Sequence, residues 1–205
     1  MTKLQVVIGS TRPERAAERV FPWVLDRARD HGAFDVELVD LRDWPLPFFA
    51  ETAATVGDFN DPTYSVPIVR EWNRKIAEAD AYLFITPEYN HSVPGVLQNA
   101  IDWISRPAMK SPLAEKPAAI MGVSPGALGA ARAQQQLKLV LMATLAQVLP
   151  HPGVSVGLVA EKFDAEGRLV HEPTRQFVSA YLAAFETWIR RVGRPKAAER
   201  SVRAA

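Results

Sequence analysis

The chain has 205 residues, 48% of them hydrophobic and 23% charged, which is enough apolar content to bury the core of a single domain. Lys and Arg number 24 against 23 Asp and Glu, so bulk charge supplies no drive toward nucleic acid or an anionic membrane. Cysteine is absent, which excludes disulfides, thiolate metal sites, cysteine-held iron–sulfur clusters and a cysteine nucleophile, and fits a reducing cytoplasm.

The first apolar stretch, residues 4–8, is short and interrupted by Gln5, whereas a signal-peptide core takes roughly 7–15 apolar residues. The longest mostly apolar run, 139–149, is broken by Thr144 and Gln147, and a spanning helix takes about 20. Neither an export signal nor a membrane segment is expected.

Short apolar runs alternate with longer amphipathic ones. Residues 4–8 read as a strand ending at Gly9, and 14–31 as a helix carrying Val20, Val24 and Leu25 on one face. Pro22 would cost about 3 kcal/mol deep inside that helix, so a kink or a late start is expected. Residues 34–40 alternate like a strand. An irregular stretch, 42–65, then gathers prolines with Trp44, Phe48, Phe49, Phe59 and Tyr64; a loop of that length is functional or covered by a partner. A helix at 66–79 precedes the cleanest buried strand, 81–86. Next come a helix at 94–105 with Pro94 in its first turn, a strand at 117–123 and a long helix at 128–148. A fifth strand at 152–159 and a helix at 172–190 complete a domain over 1–190, with 191–205 a basic, mobile tail. Alternating strands and helices predict an α/β fold, a doubly wound parallel sheet whose ligands lie beyond the carboxyl ends of the strands.

Three loops occupy such ends. Residues 9–15, GSTRPER, follow the first strand and bring helix-start N–H groups together with hydroxyls and two guanidinium groups, a donor set suited to phosphate. Residues 86–95, TPEYNHSVPG, follow the third strand; two prolines stiffen this loop, and its peptide groups could read the edge of a flat heteroaromatic ring. Residues 122–129, GVSPGALG, follow the fourth strand, and their glycines allow a flat ligand close to the backbone. Each loop by itself also reads as an ordinary helix-entry turn. Taken together, in a 2-1-3-4-5 strand order, they would share one rim.

Other chemistries find no support. The chain has no Walker loop, no G-x-G-x-x-G fingerprint, no G-x-S-x-G elbow and no histidine pair at zinc spacing. His91 lies near the second loop and could touch a substrate, while a surface role explains it as well. Packing or an interface contact is the reading for Asp102 and Trp103.

The segment 86–103, TPEYNHSVPGVLQNAIDW, resembles the T-P-E-Y-N-x-S-x-P-x-x-L-K-N-A-I-D-W signature of the NADPH-dependent FMN reductase family, and GSTRPER is similar to that family's phosphate loop. The resemblance spans about residues 3–190 and implies a flavodoxin-like three-layer sandwich, with a five-stranded parallel sheet in the order 2-1-3-4-5. It also implies FMN as cofactor and NADPH or NADH as donor. Ser10, Arg12 and Arg15 would hold the FMN phosphate. Pro87, Glu88, Tyr89 and Asn90 would line the isoalloxazine ring, mostly through backbone groups, and Ser124 and Gly126 would approach it from the third loop. The chain departs from the pattern at Gln98, where lysine is common, and in a third loop with fewer glycines. The implied function is a ping-pong hydride transfer through FMN to a quinone-like acceptor, with no acid, base or metal from the protein. The alternative is a flavodoxin-like electron carrier or flavin-dependent redox sensor. The resemblance further implies a homodimer or homotetramer, with the loop 42–65, Trp103 and Ile104 as candidate interface elements.

Overall fold

The computed structural model describes residues 1–52, 57–58, 61–62, 64–106 and 108–193. The strands are β1 (Thr2–Ile8), β2 (Phe34–Asp40), β3 (Ala81–Thr86), β4 (Pro117–Val123), β5 (Gln147–Val148) and β6 (Val154–Val156). The helices are α1 (Ala17–Asp30), α2 (Pro67–Ala77), α3 (Gly95–Asp102), α4 (Ala131–Ala143), α5 (Val159–Lys162) and α6 (Glu172–Val192). The main sheet is parallel in the order β2-β1-β3-β4, and β5 and β6 together take the fifth place against β4.

Period-two side-chain alternation builds a core on each face. Leu4, Val6 and Ile8 of β1, Leu83 and Ile85 of β3, and Met121 and Val123 of β4 point to α1 and α6, where Val20, Val24, Tyr181 and Phe185 meet them. Val7, Tyr82, Phe84 and Ile120 point the other way, toward Val69, Trp72, Leu97 and Leu137 of α2, α3 and α4. Both faces are covered, so the flavodoxin-like three-layer arrangement is realised. The buried Tyr82 hydroxyl donates to the Ile76 carbonyl at 2.6 Å and the Tyr181 hydroxyl to that of Ile120 at 2.8 Å, so neither is left unsatisfied.

Several boundaries differ from the expectation. The helix expected over 128–148 is α4, 131–143. Gly129 and Ala130 both adopt positive φ and delay its start; Leu145, at φ 64°, ends it. The chain then turns back, and Gln147–Val148 pairs with Pro117–Ala118 as β5. The mostly apolar run 139–149 crosses from the end of α4 into β5 with only Thr144 and Gln147 interrupting it, so periodicity could not separate the two elements. The fifth strand is therefore two short pieces rather than 152–159. α1 begins later than expected and still contains Pro22. The long stretch after β2 holds a short antiparallel ladder, Gly57–Asp58 against Asp61–Pro62, and Phe59 falls outside the described residues. α6 extends through Arg191 and Val192, and the expected tail beyond Gly193 falls outside them as well.

Candidate functional site

Sheet register sets the site. Ile8 of β1 lies opposite Asp40 of β2 and Ile85 of β3, and Thr86 lies opposite Gly122 of β4. The loops beginning at Gly9, Pro87 and Ser124 therefore leave the sheet along one rim. Gly9 packs closely there: a Cβ would stand 2.6 Å from Leu97 Cδ2 of α3 and 3.2 Å from the Ile85 carbonyl oxygen, so the Leu97 side chain would have to shift.

The first loop is tied down from beneath. Arg15 is buried, its side chain only 3% exposed. Its Nη1 donates to Asp40 Oδ1 at 2.7 Å and to the Ser10 carbonyl, and its Nη2 donates to Asp40 Oδ2. Burial alone would raise the Asp40 pKa; the Arg15 hydrogen bonds and the Arg42 backbone N–H outweigh it and hold the carboxyl below its usual range. Arg42 joins from the turn after β2. It donates to the Thr11 carbonyl from Nε at 3.4 Å, to the Arg12 carbonyl from Nη2 and to Glu18 from Nη1.

The outward side of the loop differs. Arg12 is exposed and its guanidinium has no ion-pair partner among the described residues. Among those residues no acceptor meets the backbone N–H of Ser10, Thr11 or Glu14, and that of Arg12 makes one long contact, 3.4 Å, to Ser10 Oγ. The Ser10 hydroxyl is buried and pairs with the Tyr89 hydroxyl at 2.6 Å, joining the first and second loops. Unpaired N–H groups and a free guanidinium ahead of α1 are donors without acceptors among the described residues, and the Ser10 hydroxyl lies beside them, which is the chemistry a phosphate requires.

The second loop is a tight turn. Tyr89 and Ser92 exchange backbone hydrogen bonds at 3.0 and 2.9 Å, and Asn90 and His91 between them take positive φ. Glu88 leans toward α4: Oε2 accepts from the N–H groups of Arg132 and Ala133 at 3.0 and 3.4 Å, and Oε1 from Arg132 Nη1 at 3.0 Å. These donors outweigh the upward push of burial and keep its pKa low. Glu88 therefore occupies the α4 N-terminus, where its carboxylate is engaged by Arg132 and Ala133. The His91 carbonyl accepts from Gln136 Nε2 at 3.2 Å, and Ser92 Oγ pairs with Gln136 Oε1 at 2.6 Å.

In the third loop Ser124 donates from its N–H to the Val156 carbonyl and from Oγ to that of Gly126, both at 3.0 Å. A Cβ at Gly126 would meet nothing closer than Ser124 Oγ at 3.9 Å, so open space lies over this loop.

A groove of about 520 Å³ flanks the first loop on its β2 side, lined by Thr11, Arg42, Trp44, Pro47, Phe48 and Val96 among others. Beneath it Trp103 and Ile104, expected at an interface, are buried at 1% and 2% exposure. Trp103 Nε1 donates to the Pro47 carbonyl at 2.7 Å, and its ring packs edge-on against Phe49 and Tyr64. Gln98 donates to Asp102 at 2.9 Å, within its own helix.

Sequence reasoning nominated the residues of the three loops and missed Asp40, Arg42 and Arg132, which hold those loops in shape. Asp40 carried one signal, a carboxylate ending the strand beside β1. Arg42 and Arg132 carried none, because each reads as an ordinary solvated cation.

A sequence model of the NADPH-dependent FMN reductase family matches residues 2–161. An NAD(P)H-dependent FMN reductase of Pseudomonas aeruginosa is 39% identical over 160 residues, 77% of this chain and 80% of its own. A 2-hydroxy-1,4-benzoquinone reductase of a Burkholderia species is 34% identical over 188 residues, 92% and 96% of the two chains. Among solved structures, the flavoenzyme NAD(P)H:(acceptor) oxidoreductase FerB of Paracoccus denitrificans superposes with a TM-score of 0.79 at 31% identity, covering 95% of this chain and all of its own. With the parallel flavodoxin-like sheet and a donor-rich rim already in place, these likenesses make the chain a member of the NADPH-dependent FMN reductase family.

Proposed function

We propose that the chain is an FMN-dependent oxidoreductase that passes electrons from NADH or NADPH to a quinone-like small molecule. The observation that carries this reading is the first loop, where among the described residues no acceptor meets the N–H groups of Ser10, Thr11 and Glu14 or the exposed Arg12 guanidinium. FMN held at this rim would supply the hydride chemistry that links nicotinamide to acceptor, the two half-reactions sharing one site in a ping-pong cycle.

The chain's own part is binding and orientation. Arg12 and the loop N–H groups neutralise the phosphate. The Ser10 hydroxyl, with Tyr89 as its other partner, adds a donor. Arg15 contributes from beneath by fixing the loop. Peptide groups of Pro87, Glu88, Tyr89 and Asn90 would hold the ring, with Ser124 and Gly126 on the third loop, where the space over Gly126 is open. No side chain is assigned as a general acid or base. The acceptor class is supported by the named benzoquinone reductase relative. No helix among the described residues is long and apolar enough to cross a membrane. A cytoplasmic site, where reduced nicotinamides are held, and a homodimer or homotetramer belong to the same proposal.

The test begins with the absorption spectrum of the purified protein and the mass of any chromophore released by heat. NADPH and benzoquinone are then mixed with it and absorbance followed at 340 nm. A yellow protein that turns over supports the proposal. A yellow protein that leaves NADPH untouched is a carrier or sensor, and a protein that takes up no FMN refutes the site.

A further inference from the structure

Three consecutive carbonyl oxygens of the first loop, those of Ser10, Thr11 and Arg12, are each taken by a guanidinium from behind: Ser10 by Arg15, Thr11 and Arg12 by Arg42. A trans peptide group is planar, and its C=O points opposite to the N–H of the next residue. Anchoring the Ser10 carbonyl therefore turns the Thr11 N–H to the other side. Anchoring the Thr11 carbonyl does the same for the Arg12 N–H, and the Arg12 carbonyl precedes Pro13, which has no N–H to aim. The result is a run of donors turned toward the rim, a concavity that favours an anion.

The two arginines are not equivalent. Arg15 is buried against Asp40 and belongs to the core of the loop. Arg42 comes from a neighbouring strand's turn with its side chain 33% exposed, held at its far end by Glu18 of α1. Nothing about Arg42 is needed to fill the core, yet all three of its guanidinium nitrogens donate: two to the loop and one to Glu18.

We propose that Arg42 is a positioning residue for the cofactor phosphate: it fixes the peptide planes of residues 11–13 so that the Arg12 N–H, next to the Thr11 N–H that Arg15 sets, faces the anion, without itself touching it. This rests on the reading of the first loop as the FMN phosphate site. A flexible loop would have to be ordered by the ligand at a cost in affinity, and a loop held in advance does not.

The experiment compares FMN with riboflavin, which lacks the phosphate, by titrating apoprotein and following quenching of flavin fluorescence. The wild type should prefer FMN; a wild type that binds FMN but does not prefer it over riboflavin overturns the phosphate assignment itself, and no uptake of FMN refutes the site before Arg42 is in question. Given that preference, Arg42→Ala should weaken FMN about tenfold, the scale of losing a positioned hydrogen bond, and leave riboflavin within about twofold. Equal loss of both flavins means a general structural role and overturns the inference. Arg42→Lys keeps the charge but cannot bridge two carbonyls and Glu18 as a planar fork does, so it should resemble Arg42→Ala. Wild-type affinity in Arg42→Lys would show that charge alone acts and would equally overturn it. Should Arg42→Ala fail to fold, the Lys variant alone decides.

Discussion

Removing Arg15 strands the Asp40 carboxylate, which is 14% exposed and takes hydrogen bonds from both terminal nitrogens of that guanidinium. Breaking a buried pair on one side leaves an uncompensated charge, so Arg15→Ala should lower unfolding stability by about 3–5 kcal/mol in urea titration. Arg12→Ala should do the opposite. Its guanidinium is exposed and has no ion-pair partner among the described residues, so stability should hold within about 0.5 kcal/mol. FMN affinity should fall by about 1.5–3 kcal/mol, the scale of a hydrogen bond to a charged group. Calorimetric titration with FMN separates the two variants, and an unchanged affinity in Arg12→Ala moves the phosphate elsewhere. The Asp40 pKa is depressed in the fold, so the pair contributes fully above the unfolded carboxylate value and fades as pH falls through the lower folded value. The Tm difference between wild type and Asp40→Asn should therefore be flat above about pH 5 and shrink progressively below about pH 4. A difference that instead grows on acidification contradicts the ion pair. These contrasts mark what was legible at this scale. Ser10 and Arg12 could be nominated because their types and spacing match a phosphate loop. Arg42 could not, because its partners are backbone carbonyls thirty and thirty-one residues away.

The rim is shaped by how elements meet, and glycines record where they meet most closely. At Gly157, after β6, an added Cβ would lie 2.3 Å from the Ala127 carbonyl oxygen and 2.7 Å from that of Gly126. Those are backbone atoms of the third loop and have no rotamer to yield. At Gly126 itself the space is open. Gly157→Ala should destabilise by about 1–3 kcal/mol as an overpacking change and displace the third loop, weakening FMN and riboflavin alike if, as proposed, that loop faces the ring. Gly126→Ala should leave stability within about 0.5 kcal/mol. Chemical denaturation of the two variants, followed by flavin titration, checks the pair; equal stability would mean that the loop yields freely. Strand and helix order was readable from alternating apolar runs, since buried parallel strands such as 81–86 and 117–123 are nearly continuous in apolar residues. The end of α4 was not readable, because the turn at Leu145 is made by a residue with no turn preference and a positive φ. Only the pairing of Gln147–Val148 with β4 explains why the chain reverses there.

At the scale of the whole molecule the aromatic stretch after β2 reads differently in sequence and in space. Its tryptophan and several of its rings are spent internally: Trp44 packs on Trp72, and Phe49 and Tyr64 meet Trp103 edge-on. The sequence could not reveal this, because the partners lie in α2 and just after α3, fixed only once the sheet has formed. Among its described residues Phe48 is the exception, 89% exposed on the lip of the groove that runs between this stretch and α3, where Val96 is also 40% exposed. An aromatic ring this exposed beside an apolar groove is a surface that association would cover. A second apolar face lies on α4, where Leu139 and Met142 are 68% and 55% exposed. If the proposed homo-oligomer forms through the groove, Phe48→Glu should convert it to a monomer at micromolar concentration, by size exclusion with light scattering. The near-ultraviolet signal of the buried Trp103 cluster should stay intact. Leu139→Glu separates the two faces. It should leave a dimer built on the groove unchanged, whereas dissociation by Leu139→Glu alone would assign the contact to α4. A wild-type chain that is monomeric at tens of micromolar would refute association through either face, because a homo-oligomer held at that concentration needs a binding free energy of about 6–7 kcal/mol or more.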